Sequence, residues 1–528
     1  MESSKRCPEA NLSPIEHAKH LLGDIGKGSD TVESLRTILR EIVPNLGMAE
    51  ISILEEFLVN ATGHKLRTVS SFIKEAKDYV KDRGYIHDAE SATAVYIAGM
   101  DETYPSVVSS GLSLYTYDDD TGAFEAQASE DVEKHLLDFF AGLPLLQKES
   151  SVRNILKRIR LHYANDAFFA HTKAGVNLKD GFLSLEGGLL ELLAHSPDHR
   201  ARMQLNASYD PEASFEWFEA GLSRILPSQT SLDALQEIIG AIVFNVEPAK
   251  DSVRRMFILY GAPRSGKSTI INILLALLPA SCVGSVPPGH WSDPNYRAAL
   301  ENLVLNYVTE LGGSTRIGSE HMKKIVSREP VIVRRMRRDP VTITPIAWHL
   351  FATNEMPRIV DKTDAFERRL LVVTFPRSLE LSEIDETFHD KVRAAPSAVL
   401  RWAAIGATRL LETGTFTVPN GHSLAVAEMQ FGDDLPLVFV HTQVRQVPGA
   451  RVSTTELRDA LKAFVRQRDV DPETIDHGTI RRVAAVLQTR FGATRRKTNG
   501  RPFYDGVSLV FTHEPEAEGP EDVELGNL

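Results

Sequence analysis

Cysteine is nearly missing from this chain: Cys7 and Cys282 are the only two in 528 residues. Two thiols cannot by themselves build a zinc cluster or a disulfide framework. They read as reduced thiols of a cytosolic protein. Long apolar runs are missing as well. Residues 270–278 (IINILLALL) fall far short of the roughly 20 residues that span a bilayer, so no membrane partner is expected. The opening MESSKRCPEANLSP has no apolar signal core, and a cytoplasmic location follows as the expectation. An excess of positive charge is also lacking. A net charge of −12 argues against a uniformly basic nucleic-acid coat.

The charge is unevenly spread. Residues 321–340 hold seven Lys/Arg against Glu329 and Asp339, and residues 481–501 hold seven with no acid. The last stretch, 513–528, has six acids and no Lys/Arg. An acidic chain with two basic islands suits a protein that meets a polyanion at defined places.

The length calls for several domains. Residues 1–94 read as a helical region, with TVESLRTILREIV and SSFIKEAKDYVKDRG spaced by threes and fours. Residues 95–230 read as an α+β unit. AVYIAG and LSLYTYDDDTGAFEAQ look like strands there, the second a hairpin turned at DDDTG. Helical patterns return at EDVEKHLLDFFAGL and SSVRNILKRIRLHYA, and NLKDGFLSLEGG is turn-rich. Residues 231–420 open on the helix SLDALQEIIGAIVF and then alternate strands and helices, the pattern of an α/β nucleotide-binding core. A further unit spans 435–512, and the acidic tail 513–528 reads as disordered. The fold class is multidomain α/β.

The most specific motif is GAPRSGKS at 261–268. MFILY before it is a buried-strand pattern, and TIINILLALL after it is helical. Strand, Gly-rich turn and helix N-terminus are the setting a phosphate-binding loop needs. Gly261, Ala262, Pro263, Arg264, Ser265, Gly266, Lys267, Ser268 and Thr269 would cradle the phosphates of ATP, the backbone N–H groups facing inward. Lys267 would reach the β- and γ-phosphates and Ser268 would ligate Mg²⁺. The strand LVLNYV then runs into Thr309-Glu310, where an acid can polarise water or hold Mg²⁺. IAWHLFATNEMP ends in Asn354, a polar amide suited to sensing a γ-phosphate. AFERRLLVVTF supplies Arg368 and Arg369, a residue type that stabilises charge on a transferring phosphoryl group. Between them, VIVRRM and PVTITP can pair as a hairpin with RRDP at its tip, a grip for a nucleic-acid backbone.

In this order, GAPRSGKST, LVLNYVTEL, MKKIVSREPVIVRRM, LFATNEMP and AFERRLLVVTF resemble the superfamily 3 helicases. The likeness is to the phage and plasmid primase-helicase branch, related to the poxvirus primase-helicase, and covers roughly 95–512. It implies an AAA+-like ATPase core and a homo-oligomeric, hexameric ring moving 3′→5′ on single-stranded DNA. Within it Lys267 and Ser268 match the Walker A roles and Glu310 the Walker B acid. Asn354 matches the sensor. Lys323, Arg334, Arg335, Arg337 and Arg338 match the DNA-handling segment. Arg369, or Arg368 beside it, matches the arginine finger given to the neighbouring subunit. The chain departs from many relatives in carrying Thr-Glu where they have two acids, and Glu329 where they often have Asp. Asp118-Asp119-Asp120 reads as a hairpin turn rather than a metal site, so a helicase without a primase is expected, with a separate primase or polymerase as partner.

Towards the C-terminus, STTELRDALKAFVRQRD and DHGTIRRVAAVLQTRFG make two helices, and ATRRKTNGRPFYDGVSLVF a hairpin. This is the pattern of a winged helix, with Arg481, Arg482, Arg495, Arg496 and Lys497 facing DNA. The sequence thus points to a replicative helicase acting on single-stranded and forked DNA in a bacterial host cytoplasm. The alternative is an ATP-controlled initiator or loader that does not unwind.

Overall fold

The computed structural model describes residues 35, 39, 43, 48–62, 65, 67–74, 89–111, 113–140, 148–170, 173–250, 254–335, 339–361, 364–498 and 501–510. Most of the helix expected over 31–43 lies outside this set, as do Arg337, Arg338 and the tail 513–528. The chain forms two compact units.

The first unit comprises residues 1–103 and 128–163. Its described helices are α1 (Met48–Thr62), α2 (Ala89–Thr103), α3 (Ser129–Phe139) and α4 (Glu149–His162). Residues 94–99, AVYIAG, lie inside α2 and do not form the expected strand. Its buried positions are Ala92, Thr93, Tyr96 and Met100, on one face at helical spacing, so the apolar run serves a helical face. The boundary drawn at residue 94 therefore cuts a helix. Tyr96 hydroxyl and His135 Nδ1 bond at 2.7 Å, tying α2 to α3.

The second unit begins with an antiparallel sheet of β1 (Val107–Ser110), β2 (Ser113–Asp118) and β3 (Ala123–Gln127). At its DDDTG turn, Asp118 accepts from the Asp120 backbone N–H at 3.0 Å and the Thr121 hydroxyl at 3.0 Å. That is the local carboxylate bonding that favours Asp in turns. A second antiparallel sheet follows, β4 (Gly175–Leu178), β5 (Gly181–Glu186) and β6 (Leu189–Leu193), then helices α5 (Glu216–Ile225) and α6 (Gln229–Phe244).

The centre of the unit is a five-stranded, wholly parallel sheet. Its strands are β7 (Met256–Gly261), β8 (Val283–Gly284), β9 (Leu305–Val308), β12 (Trp348–Thr353) and β13 (Leu370–Phe375). Their spatial order is β13-β7-β12-β9-β8. Helix α7 (Lys267–Leu277) follows β7, and α8 (Glu320–Val326) leads to the hairpin β10 (Val331–Val333) and β11 (Val341–Ile343). The short α9 (Asp364–Glu367) precedes β13, and α10 (Pro396–Thr413) and α11 (His422–Phe431) follow it. Both faces of the sheet are covered, which is why its strands read as continuous apolar runs.

Helix α6 is buried from Ser231 to Phe244 with few breaks. A helix apolar all round must be packed all round. One core accordingly joins Val176, Leu183, Leu222 and Ile239 to Phe257, Leu350 and Trp402. The boundary drawn at residue 230 thus falls inside a single hydrophobic core.

The C-terminal module contains α12 (Leu435–Gln443), β14 (Val444–Ser453), α13 (Thr454–Arg466), α14 (His477–Phe491), β15 (Thr494–Thr498) and β16 (Arg501–Leu509). Its antiparallel sheet has the order β14-β16-β15. The first helix and strand add to the helix, helix and hairpin read from sequence. Val438, Leu461, Val483 and Tyr504 meet in its core. Ser453 and Glu456 form a reciprocal cap at the start of α13, and Asp476 accepts from Thr479 N–H at the start of α14. Among the described residues no helix is long and apolar enough to cross a membrane.

Candidate nucleotide and nucleic-acid site

The parallel sheet pairs Phe375 with Gly261, Thr353 with Tyr260 and Phe351 with Val308. Four strand ends therefore share one edge. The loop 262–266 leaves β7 there, Glu310 follows β9, and Asn354 follows β12. Ligands of open α/β sheets bind at this carboxyl edge.

The loop's shape depends on its glycines. Gly266 has φ of 98°, and a Cβ there would meet Ile225 at 2.8 Å. A Cβ on Gly261 would come within 2.7 Å of the Phe375 carbonyl. The outer wall is pinned by the segment after β13: Leu379 N–H donates to Arg264 carbonyl at 2.9 Å, and Ser378 hydroxyl to Pro263 carbonyl at 2.8 Å. Nothing in the sequence singled out these two residues.

Lys267 is buried at the first turn of α7. Its ammonium donates to the Gly261 carbonyl at 2.6 Å, the Ala262 carbonyl at 2.7 Å and Ser265 Oγ at 3.2 Å. Burial pulls its pKa below the usual lysine range. Among the described residues no carboxylate is its partner, so its charge stands uncompensated at the edge of the loop. Ser268 is exposed one residue on.

Glu310 and Asn354 are both exposed, and among the described residues neither has a side-chain partner. Buried Thr353 fixes the backbone between them. Its hydroxyl donates to Leu311 carbonyl at 2.7 Å, and Glu355 N–H donates back to it at 3.1 Å. Leu311 N–H also bonds the Ala352 carbonyl at 2.8 Å. Lys267, Ser268, Glu310 and Asn354 are thus presented on one edge.

Arg368 and Arg369 are not on that edge. They precede Leu370, which pairs with Met256 at the opposite end of β7. The six residues of β13 put about 17 Å between the two ends. The two arginines also differ from each other. Arg369 donates to Ser327 Oγ at 3.1 Å and to Ala365 carbonyl at 2.5 Å, and burial lowers its pKa. Arg368 is exposed and without a partner among the described residues. The preceding Glu367 is held by the C-terminal half: Gln430 on α11 bonds it, His441 on α12 bonds it at 2.8 Å, and Arg490 on α14 lies 4.0 Å away.

The cations expected to handle DNA fall into groups. Lys323 is paired with Asp361 at 2.6 Å. Arg334 and Arg335 are exposed at the end of β10, Arg335 touching Glu301 at 3.1 Å. In the C-terminal module Arg482 pairs with Asp434, and Arg496 with Asp505 at 3.2 Å. Arg481, Arg495 and Lys497 are exposed and unpaired among the described residues.

Residues 259–369 match a family described as a family of unknown function (DUF5906). The likeness is partial. It runs from inside β7 to Arg369, so it holds Lys267, Ser268, Glu310 and Asn354 but not Phe375, Ser378 or Leu379. No curated protein matches the chain. Among solved structures, the A form apo structure of the NrS-1 C terminal region has a TM-score of 0.38 at 10% identity, covering 76% of this chain and 95% of that one. An apo structure of NrS-1 residues 305–718 gives 0.37 at 11%, covering 76% and 96%. At such TM-scores neither neighbour assigns a role.

Proposed function

We propose that the chain is an ATP-driven DNA helicase of superfamily 3 type that works as a ring, with each nucleotide site shared between two copies. One observation carries this reading. Lys267, Ser268, Glu310 and Asn354 share the carboxyl edge of the sheet, while Arg368, free among the described residues, stands at the opposite edge, out of reach of its own loop. An arginine so placed serves a nucleotide only on another molecule. In this reading the parallel sheet is an AAA+-like core and the C-terminal module a winged helix.

The donor set fits a magnesium–nucleoside triphosphate. What fits is the ammonium of Lys267 and the carboxylate of Glu310, both without an opposite charge among the described residues, and the exposed hydroxyl of Ser268. Ser268 and Glu310 would hold the metal, which when bound neutralises phosphate charge. Lys267 turns from the loop carbonyls to the phosphates. Glu310 orients the attacking water, and Asn354 reports the terminal phosphate. Arg368 from the adjoining copy stabilises the charge that develops there. Arg369 is the positioning residue, anchoring the turn through Ser327.

The basic end of the β10–β11 hairpin and the cations Arg481, Arg495 and Lys497 are the surfaces for single-stranded and forked DNA. Translocation 3′→5′, a hexameric state, a separate primase or polymerase and a cytoplasmic location belong to the same proposal. The test is hydrolysis and strand displacement by the purified full chain. Single-stranded DNA is expected to stimulate hydrolysis, a forked duplex to be unwound, and Lys267→Ala to lose both. Hydrolysis indifferent to DNA, with no unwinding, would sink the reading. The unpaired cations of the C-terminal module also support an initiator or loader. That alternative predicts duplex binding that survives Lys267→Ala, with no strand displacement.

A further inference from the structure

A second site lies at the amino edge of the parallel sheet, away from the loop. A cavity of about 70 Å³ opens there between β12, the strands β4 and β5, and the segment around residue 200. Trp348, the first residue of β12, forms one wall and Phe169 another. Four cationic side chains line it: Lys173, Arg200, Arg202 and Arg328. Among the described residues no carboxylate does.

The cations are held there at some cost. Arg328 donates through one terminal nitrogen to Glu247 at 2.7 Å, but among the described residues its buried Nε and other terminal nitrogen have no partner. The same Glu247 also serves Arg254, so one carboxylate answers two guanidinium groups. Arg254 and Arg328 lie 4.8 and 5.5 Å from the centre of the Trp348 ring. Arg202 lies 5.0 Å from that of Phe169. Buried N–H groups of a cation that lack a partner are costly, more so than neutral ones. Burial, and then the charge of Arg202, hold the pKa of Arg328 well below the usual arginine range.

Backbone strain points to the same place. Six non-glycine residues among those described have positive φ. Three of them line this cavity: Arg200 at 53°, Asn245 at 51° and Arg328 at 55°. Each follows the last turn of a helix or 3₁₀ segment, where glycine is the usual choice. Such outliers gather at ligand clamps. Here the strain is spent on placing two arginines and an amide around one space.

The geometry points to an oxyanion site of phosphate class in this cavity, gripped by Arg328 and Arg202 and rimmed by Lys173. It is independent of the nucleotide reading above. Its volume suits one phosphate group, either free or at the end of a nucleic-acid strand. A bound oxyanion satisfies the two orphan N–H donors and offsets the clustered charge.

The test is calorimetric titration of the full-length Lys267→Ala chain with inorganic phosphate, so that the loop is out of play. Saturable binding is expected, weakened roughly tenfold or more by adding Arg328→Gln or Arg202→Gln. Lys173→Gln, at an exposed position where folding is not at stake, is expected to weaken it less and to flatten its salt dependence. Displacement by a 5′-phosphorylated oligonucleotide, but not by its 5′-hydroxyl twin, assigns the anion to a strand end. Phosphate binding with no displacement by either assigns it to the free ion. Absence of saturable binding, or binding unchanged in all three variants, overturns the site.

Discussion

Arg368 and Arg369 are adjacent and chemically identical, so nothing in the sequence could choose between them. Their surroundings differ. Arg369 is tied to Ser327 and Ala365, whereas Arg368 is exposed and free among the described residues. Arg368→Ala is therefore expected to cut the hydrolysis rate by roughly 10³ while nucleotide affinity stays near that of the wild type. Arg369→Ala is expected to act on stability instead, costing about 1–2 kcal/mol through its lost hydrogen bonds. Paired measurements of turnover, nucleotide affinity and melting temperature separate the two. The opposite pattern would exchange their roles. The strand, the Gly266 turn and the helix start at Lys267 were legible because a tight strand-to-helix turn constrains residue type at each step. Thr353, Ser378 and Leu379 were not, because they act through backbone contacts that leave no mark on a sequence.

At the scale of elements, periodicity served well where one face of a segment is buried. α13 and α14 are examples, each with a cap at its start. It failed at residues 94–99, where a short apolar run suits a strand or a buried helix equally. The position of α6 was also illegible, because an all-round apolar helix does not say which neighbours bury it. The β10–β11 hairpin is legible as a pairing of two short runs, and its exposed end carries Arg334 and Arg335. Removing the charges of Arg335, Arg337 and Arg338 together is expected to weaken DNA binding and lower its salt dependence. Basal hydrolysis should remain. Equal DNA affinity for that variant and the parent across a salt series would refute the assignment of this element. Glu367 links elements in another way. It lies just before Arg368 and is bound by α11 and α12, so the C-terminal half helps to fix the turn that presents the arginine.

For the whole molecule, buried His349 and half-buried His422 contribute to the response to acid. His349, beside Trp348, is held down to about 3 by burial and the charge of Arg328. His422 accepts from the Val372 N–H at 3.1 Å and is held down to about 4, again chiefly by burial. In the unfolded chain both titrate near 6.5. The unfolded state thus binds more protons between about pH 6.5 and 4, and stability falls as pH falls through that range. The melting temperature is expected to drop steadily from pH 7 to 4.5. His422→Gln, which keeps an acceptor, is expected to remove part of that slope. A flat profile would show that neither ring is buried as described.

The parallel register puts Lys267 and Arg368 on opposite edges of the sheet, and the proposed ring would make each nucleotide site the work of two copies. Mixing Lys267→Ala with Arg368→Ala measures this most directly. Each variant alone is expected to be inactive. In a mixed assembly, the intact loop of one copy meets the intact arginine of the other, and DNA-stimulated hydrolysis should return, greatest near equal proportions. No recovered activity at any ratio, or full activity of Arg368→Ala alone, would contradict a shared site.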